Sequence, residues 1–274
     1  ISVGHAVFFG IGAYTSAILT TQQGLSPWLA MFLGAAISGG FAALFGRAMF
    51  RLHGLILAGI TLALNLVFYF SITSAIDITG GAMGIMNIPP LILGGVNFSK
   101  SFYTYYMVWT IAIILLVFTL NLADSQAGRA LRSMNAHAGG SEEAAQVLGI
   151  NVMKYKVLVF ALSAVYISIA GSIYAHHARI VEPGTYYIPF SVMVIIMAVL
   201  GGMRSPWGAF LGAGLMIGMR EVLRDIVPLF VTGITGAYEL IAYGVILVTV
   251  LLFLPQGLIS AVARIFRRRK AVAK

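Results

Sequence analysis

An all-α integral membrane bundle, a polytopic chain of about eight spans, is the fold class this sequence predicts, and three observations carry it. Hydrophobic residues fill 60% of the 274 positions and charged ones 9%, a balance that cannot keep a soluble globular surface hydrated. The apolar residues fall in runs near the roughly 20 residues that a transmembrane helix needs, punctuated by glycine, proline or charge. The 17 Lys and Arg collect in short segments between those runs, as topology signals do beside anionic lipid, and not on one polar face.

In chain order the runs are His5 to Thr20, Trp28 to Phe50, Leu55 to Thr73 and Thr104 to Leu122. Then follow Val157 to Ala178, Ile188 to Leu200, Trp207 to Met219 and Tyr238 to Leu254. The first is crowded by Gly4, Gly10 and Gly12, and the sixth and seventh by Gly201, Gly202, Gly208, Gly212, Gly214 and Gly218. Small residues let helices approach closely, and broken helices are tolerated where protein or a water-filled cavity covers the backbone. Helix packing is the simpler reading of any one glycine; glycine-rich stretches in both halves are also what a transporter built from two related halves shows. Residues 1–274 make one compact bundle, and the opening on Ile1 inside an apolar stretch predicts a preceding N-terminal segment.

With eight spans, alternate connections share a side. One side receives Arg47, Arg51, Arg129, Arg132, Lys154, Lys156, Arg204, Arg264, Arg267, Arg268, Arg269, Lys270 and Lys274, the other Lys100, Arg179, Arg220 and Arg224. This division of the 17 basic residues marks the first side, with the C-terminal tail 264–274, as cytoplasmic. The run Arg267 to Lys270 reads as an anchor on anionic lipid, and the charge of +9 does not indicate nucleic acid.

The chemistry of other classes is missing. There is no cysteine, hence no disulfide framework and no thiolate. Gly94 to Ser101 resembles a phosphate-binding loop but lacks the glycine before Lys100 that lets backbone wrap phosphate. His176 and His177 point about 100° apart on a helix, and His5, His53 and His137 stand without carboxylate clusters, so no metal site is expected. No acid lies clearly at mid-membrane, which weighs against a proton- or sodium-coupled carrier. Thr61 and Asn65, one turn apart in the third span, either touch substrate or bond a neighbouring helix. Arg179 and Glu182, with Arg220, Glu221, Arg224 and Asp225, form an external rim suited to salt bridges with a docking protein.

The longest polar interruption runs from about Ala123 to Lys156. Within it Ser141 is an N-cap, Glu142 and Glu143 favour the positive end of a helix dipole, and Gly149 offers a stop. The short helix between them presents Ala144, Ala145 and Leu148 as a face that fits a groove on a soluble partner.

Glu143-Ala144-Ala145, three residues, then Gly149 resembles the Glu-Ala-Ala-x-x-x-Gly signature of permease subunits in bacterial ABC importers. Further stretches carry the resemblance along nearly the whole chain: Ser2 to Tyr14, Thr79 to Ile85, Gly128 to Arg132, Leu148 to Val152 with Tyr155-Lys156, Leu200 to Gly202, and Leu254 to Leu258. They are similar to the LivM-like permeases of branched-chain and hydrophobic amino-acid importers. Met83, where many such sequences are polar, and Met203-Arg204-Ser205 after the paired glycines depart from the pattern.

The resemblance implies a cytoplasmic coupling helix formed by Glu142, Glu143, Ala144, Ala145, Leu148 and Gly149. It implies a LivH-like second permease, two cytoplasmic ATPase subunits that bind ATP and Mg, and a substrate-binding protein, in the bacterial inner membrane. The chain itself is expected to have no catalytic residue and no cofactor. The substrate path is expected along Gly10, Gly12, Tyr14, Thr61, Asn65, Gly80, Gly81, Gly201 and Gly202. Branched-chain amino acids are the expected substrate; urea, short amides or aromatic acids, or an ATPase-independent carrier or channel, are the alternatives.

Overall fold

The apolar runs become helices because lipid offers backbone N–H and C=O groups no partner except each other. In the computed structural model, which describes residues 4–52, 55–93, 96–98, 101–134, 141–202, 205–230 and 245, ten α-helices and four two-residue strands are found among the described residues. They fall into two compact units, Ile1–Ile188 and Pro189–Lys274.

The first unit holds α1 (His5–Thr21), α2 (Pro27–Met49), α3 (Leu55–Ser74), the short α4 (Ile76–Thr79), β1 (Ile85–Met86), β2 (Ile92–Leu93) and β3 (Val96–Asn97). It continues with α5 (Ser101–Asp124), α6 (Gln126–Ser133), α7 (Glu142–Val147), α8 (Val152–Ala178) and β4 (Ile180–Val181). Helices α2, α3, α5 and α8 are long and apolar enough to cross a membrane. The 17 residues of α1 reach only about 26 Å at 1.5 Å per residue. That helix is instead the centre of the unit, buried along most of its length between α2 and α8.

Small residues make this centre possible. A side chain on Gly12 would collide with the Ser168 carbonyl of α8, and one on Gly171 with the Phe9 carbonyl of α1, so the two backbones touch. Ser172 donates to the Gly12 carbonyl at 2.9 Å, and Ser38 of α2 donates to the Ala164 carbonyl at 3.3 Å. Phe8, Met49 and Phe160 fill the space towards the start of α1.

The unit has two distinct ends. At one, α4 and the strands form a cap: β1 pairs antiparallel with β4, Gln22 after α1 donates to the Ile78 carbonyl at 3.0 Å, and Trp28 at the start of α2 donates to the Ile92 carbonyl at 2.8 Å. At the other end lie the start of α1, the end of α2, the start of α3, and α6, α7 and the start of α8. Arg47, Arg51, Arg129, Arg132, Lys154 and Lys156 belong to this second end, whereas Arg179 belongs to the cap, where its Nε donates to the Ile88 carbonyl at 3.3 Å. Arg179 therefore braces backbone, and no ion pair joins it to Glu182 among the described residues.

The second unit contains α9 (Ile188–Gly201) and α10 (Trp207–Phe230). Backbone contact again decides the packing: Gly201 meets Gly208, and Gly212 meets the Met197 carbonyl. Ile196, Val199, Leu200 and Met216 form its core.

Several predicted boundaries shift. Helix α8 starts at Val152 and not Val157, because the Asn151 side chain accepts from the Lys154 N–H at 3.0 Å and caps it. The polar stretch 123–156 holds two short helices, α6 and α7. Helix α10 continues past the predicted end at Met219 through Arg220 and Glu221; both residues form helices well, and charge marks the edge of an apolar run without ending its hydrogen bonding. Arg204, the tail 264–274 and, apart from Val245, the predicted span Tyr238 to Leu254 lie outside the described residues.

Candidate functional site

Helix α7 is built from both ends by its sequence. The Ser141 side chain accepts from the Ala144 N–H at 2.9 Å and satisfies a donor that the first turn leaves over. At the other end Gly149 takes φ of 78°, its N–H donates to the Gln146 carbonyl at 2.9 Å, and the Ile150 N–H reaches back to the Ala145 carbonyl at 3.0 Å. That pair of bonds is the Schellman termination, which needs a left-handed residue where glycine now stands. Nothing lies within 4 Å of where a Gly149 side chain would be, so the demand for glycine comes from the backbone alone.

The helix has an inner and an outer face. Ala145 is buried against Met134 and Val152, and Leu131, Ile150 and Tyr155 pack around them. Of the docking face predicted as Ala144, Ala145 and Leu148, Ala145 thus points inward. Val147 takes its place outside, 88% exposed beside Leu148 at 76%, with Glu143 and Ala144 also exposed. The two acids divide likewise: Glu142 turns inward to accept from Lys156 Nζ of α8 at 2.6 Å, and Glu143 stays in solvent. A cavity of about 580 Å³ opens beside that ion pair, walled by Phe50, Leu57, Leu131, Val159 and Phe160.

The surroundings of each predicted path residue are set within its own unit. On α1, Gly10 faces the Phe68 ring and Tyr186, and the Tyr14 ring packs edge-on against Tyr186 with centroids 5.6 Å apart. Gly12 faces the other way, into α8. Thr61 and Asn65 are fully buried on α3, where Thr61 donates to the Ala58 carbonyl at 2.9 Å. Gly80 and Gly81 adopt φ of 75° and 60° in the cap, and a side chain on Gly80 would strike the Gly84 carbonyl. Gly201 and Gly202 end α9 in the second unit, Gly202 at φ of 98°.

Tyr186, which sequence reasoning missed, is the fully buried hub of an aromatic group with Phe9 and Tyr14. The phenol oxygens of Tyr14 and Tyr186 are buried without a hydrogen-bond partner among the described residues. Burial, with Tyr14, Tyr174 and Glu182 nearby, pushes the Tyr186 phenol far above its usual range, so it stays neutral. Its position in a Pro-Gly-Thr-Tyr turn gives no periodic signal of burial.

His176 separates from His177. It is buried, its Nδ1 lies 2.6 Å from the Pro89 carbonyl and its Nε2 2.8 Å from the Ser16 hydroxyl. A carbonyl only accepts, so Nδ1 donates, and in the neutral ring Nε2 accepts from Ser16. The ring thereby joins α8, α1 and the cap.

Residues 1–254 match the family described as branched-chain amino acid transport system / permease component. The chain belongs to this family. The permease is 29% identical over 94% of its length to the high-affinity branched-chain amino acid transport system permease protein LivM of Salmonella typhimurium, and 27% identical over 99% of its length to LivM of Escherichia coli K12. It spans 63% and 66% of those two proteins. It is also 26% identical over 95% of its length to LivH of Salmonella typhimurium, covering 85% of that protein. No solved structure matches. Family membership and the four long apolar helices make it a multi-pass helical membrane protein.

Proposed function

We propose that this permease is one half of the pore of an ATP-driven importer that moves branched-chain or other hydrophobic amino acids across the bacterial inner membrane. The observation that carries the reading is α7: a capped helix at the basic end of the bundle, seated by Ala145 and the Glu142–Lys156 pair, with Glu143, Ala144, Val147 and Leu148 turned to solvent. Exposed Val147 and Leu148 on so short a helix suit insertion into a partner's groove. On this reading that end is cytoplasmic, two ATPase subunits dock there and bind ATP and Mg, a LivH-like chain completes the pore, and a binding protein delivers substrate at the cap. The chain has no catalysis of its own, and rigid movement of α7 carries the work of ATP into α8.

Leu148→Arg tests this directly. The side chain is exposed, so the bundle folds, and the purified variant is expected to lose the co-purifying ATPase and leucine uptake together. Normal uptake by that variant would refute ATPase docking at α7. The substrate class is tested by thermal shift of the partner binding protein, where stabilisation by urea or an aromatic acid but not by leucine would overturn it.

A further inference from the structure

The 580 Å³ cavity at the basic end is within the range of about 300–1,000 Å³ typical of small-molecule sites. Its charged edge is the Glu142–Lys156 pair, His5 and Ser163 add polar atoms to the lining, and the rest of the wall is apolar. The pair leaves capacity for a ligand. Lys156 has three donors and gives one to Glu142 Oε2, so two remain; Glu142 Oε1 remains an acceptor. A simple anion would meet the Glu142 carboxylate and a simple cation the Lys156 ammonium. A zwitterion meets both with the right sign, its carboxylate on Lys156 and its ammonium on Glu142. The wall of Phe50, Leu57, Leu131, Val159 and Phe160 then suits a branched apolar side chain.

From this geometry we infer that the cavity is a regulatory site for a hydrophobic α-amino acid, the transported product itself, which binds from the α7 side and slows further import. The inference rests on the function proposed above. A bound amino acid would touch α3, α6, α7 and α8 together and hold α7 on α8. It acts through differential affinity: it favours the state in which the pair is closed over the cavity, and so opposes the movement of α7 that import requires.

The test uses the whole importer in proteoliposomes with ATP enclosed, so that only molecules with α7 facing the lumen work. Uptake of labelled leucine from added binding protein is compared between vesicles with and without enclosed leucine, and enclosed arabinose serves as a control. Wild type is expected to slow severalfold with enclosed leucine and not with arabinose. In Ser163→Phe, which fills the cavity from α8, and in Lys156→Gln, the ratio between loaded and empty vesicles is expected to return to one. Equal slowing in wild type and Ser163→Phe, or no slowing of a wild type that transports leucine, overturns the site and leaves the proposed function standing. Absence of leucine uptake from empty wild-type vesicles overturns both. Should the variants not transport, equilibrium binding of labelled leucine to the purified importer without binding protein decides: binding lost in Ser163→Phe supports the site, and binding retained refutes it.

Discussion

Single residues in this permease are fixed by backbone approach and by buried hydrogen bonds more than by charge. Gly12 has no room for a side chain because the Ser168 carbonyl occupies that place. Gly12→Ala is expected to push α1 from α8 and cost about 1–3 kcal/mol, seen as a lower unfolding temperature in detergent. Gly149 is the opposite case, with open space but φ of 78°. Gly149→Ala is expected to cost about 1–2 kcal/mol through the left-handed backbone, loosening α7 without disturbing the bundle. At His176, Phe would fill the volume and take the partner from the buried Ser16 hydroxyl and the part-buried Pro89 carbonyl. His176→Phe is expected to lower stability by about 1–3 kcal/mol, measured in the same melt. A melt unchanged from wild type would show that the ring merely fills space.

At the scale of elements, α7 and α5 illustrate different dependences. Helix α7 has six residues, too few to persist alone, and relies on Ala145 and one ion pair. Both charges are partly exposed, so the pair is worth little energy, about 0–1 kcal/mol, and its value is in position. Lys156→Glu is expected to speed amide hydrogen exchange across 142–148, and adding Glu142→Lys to restore protection; failure of the double variant to do so would assign the effect to burial of the lysine stem. Helix α5 depends on lipid. Only Thr104, Met107 and Leu116 are buried on it, while Ile113, Ile114, Val117 and Phe118 are exposed. Arg at Ile114 is expected to cost about 2.5–3.5 kcal/mol of insertion, read as less chain in the membrane fraction. The boundary of α10 shows why such helices outrun their apolar windows: hydropathy reports the bilayer, and hydrogen bonding continues through Arg220.

For the whole molecule the prediction concerns sidedness. The sequence contains no cysteine, so single cysteines report without background. A cysteine at Gln146, exposed on α7, is expected to react with an impermeant maleimide only from the cytoplasm, and one at Met86, exposed in the cap, only from outside. Labelling of both from one side would break the assignment of ends. The class of molecule, seven of the eight apolar runs as helices, the sorting of basic residues in the first unit, and the caps of α7 were all legible in the sequence, because each is a local property of composition, spacing or backbone conformation. Tertiary structure decided the rest: that Ala145 and Glu142 face inward, that Gly12 serves α8 while Gly10 serves Tyr186, and that His176 and not His177 is a joint. The long helices are apolar on every side, and lipid is as apolar as a protein interior, so no periodicity in the sequence says which face another helix will cover, and the six residues of α7 are too few to show one.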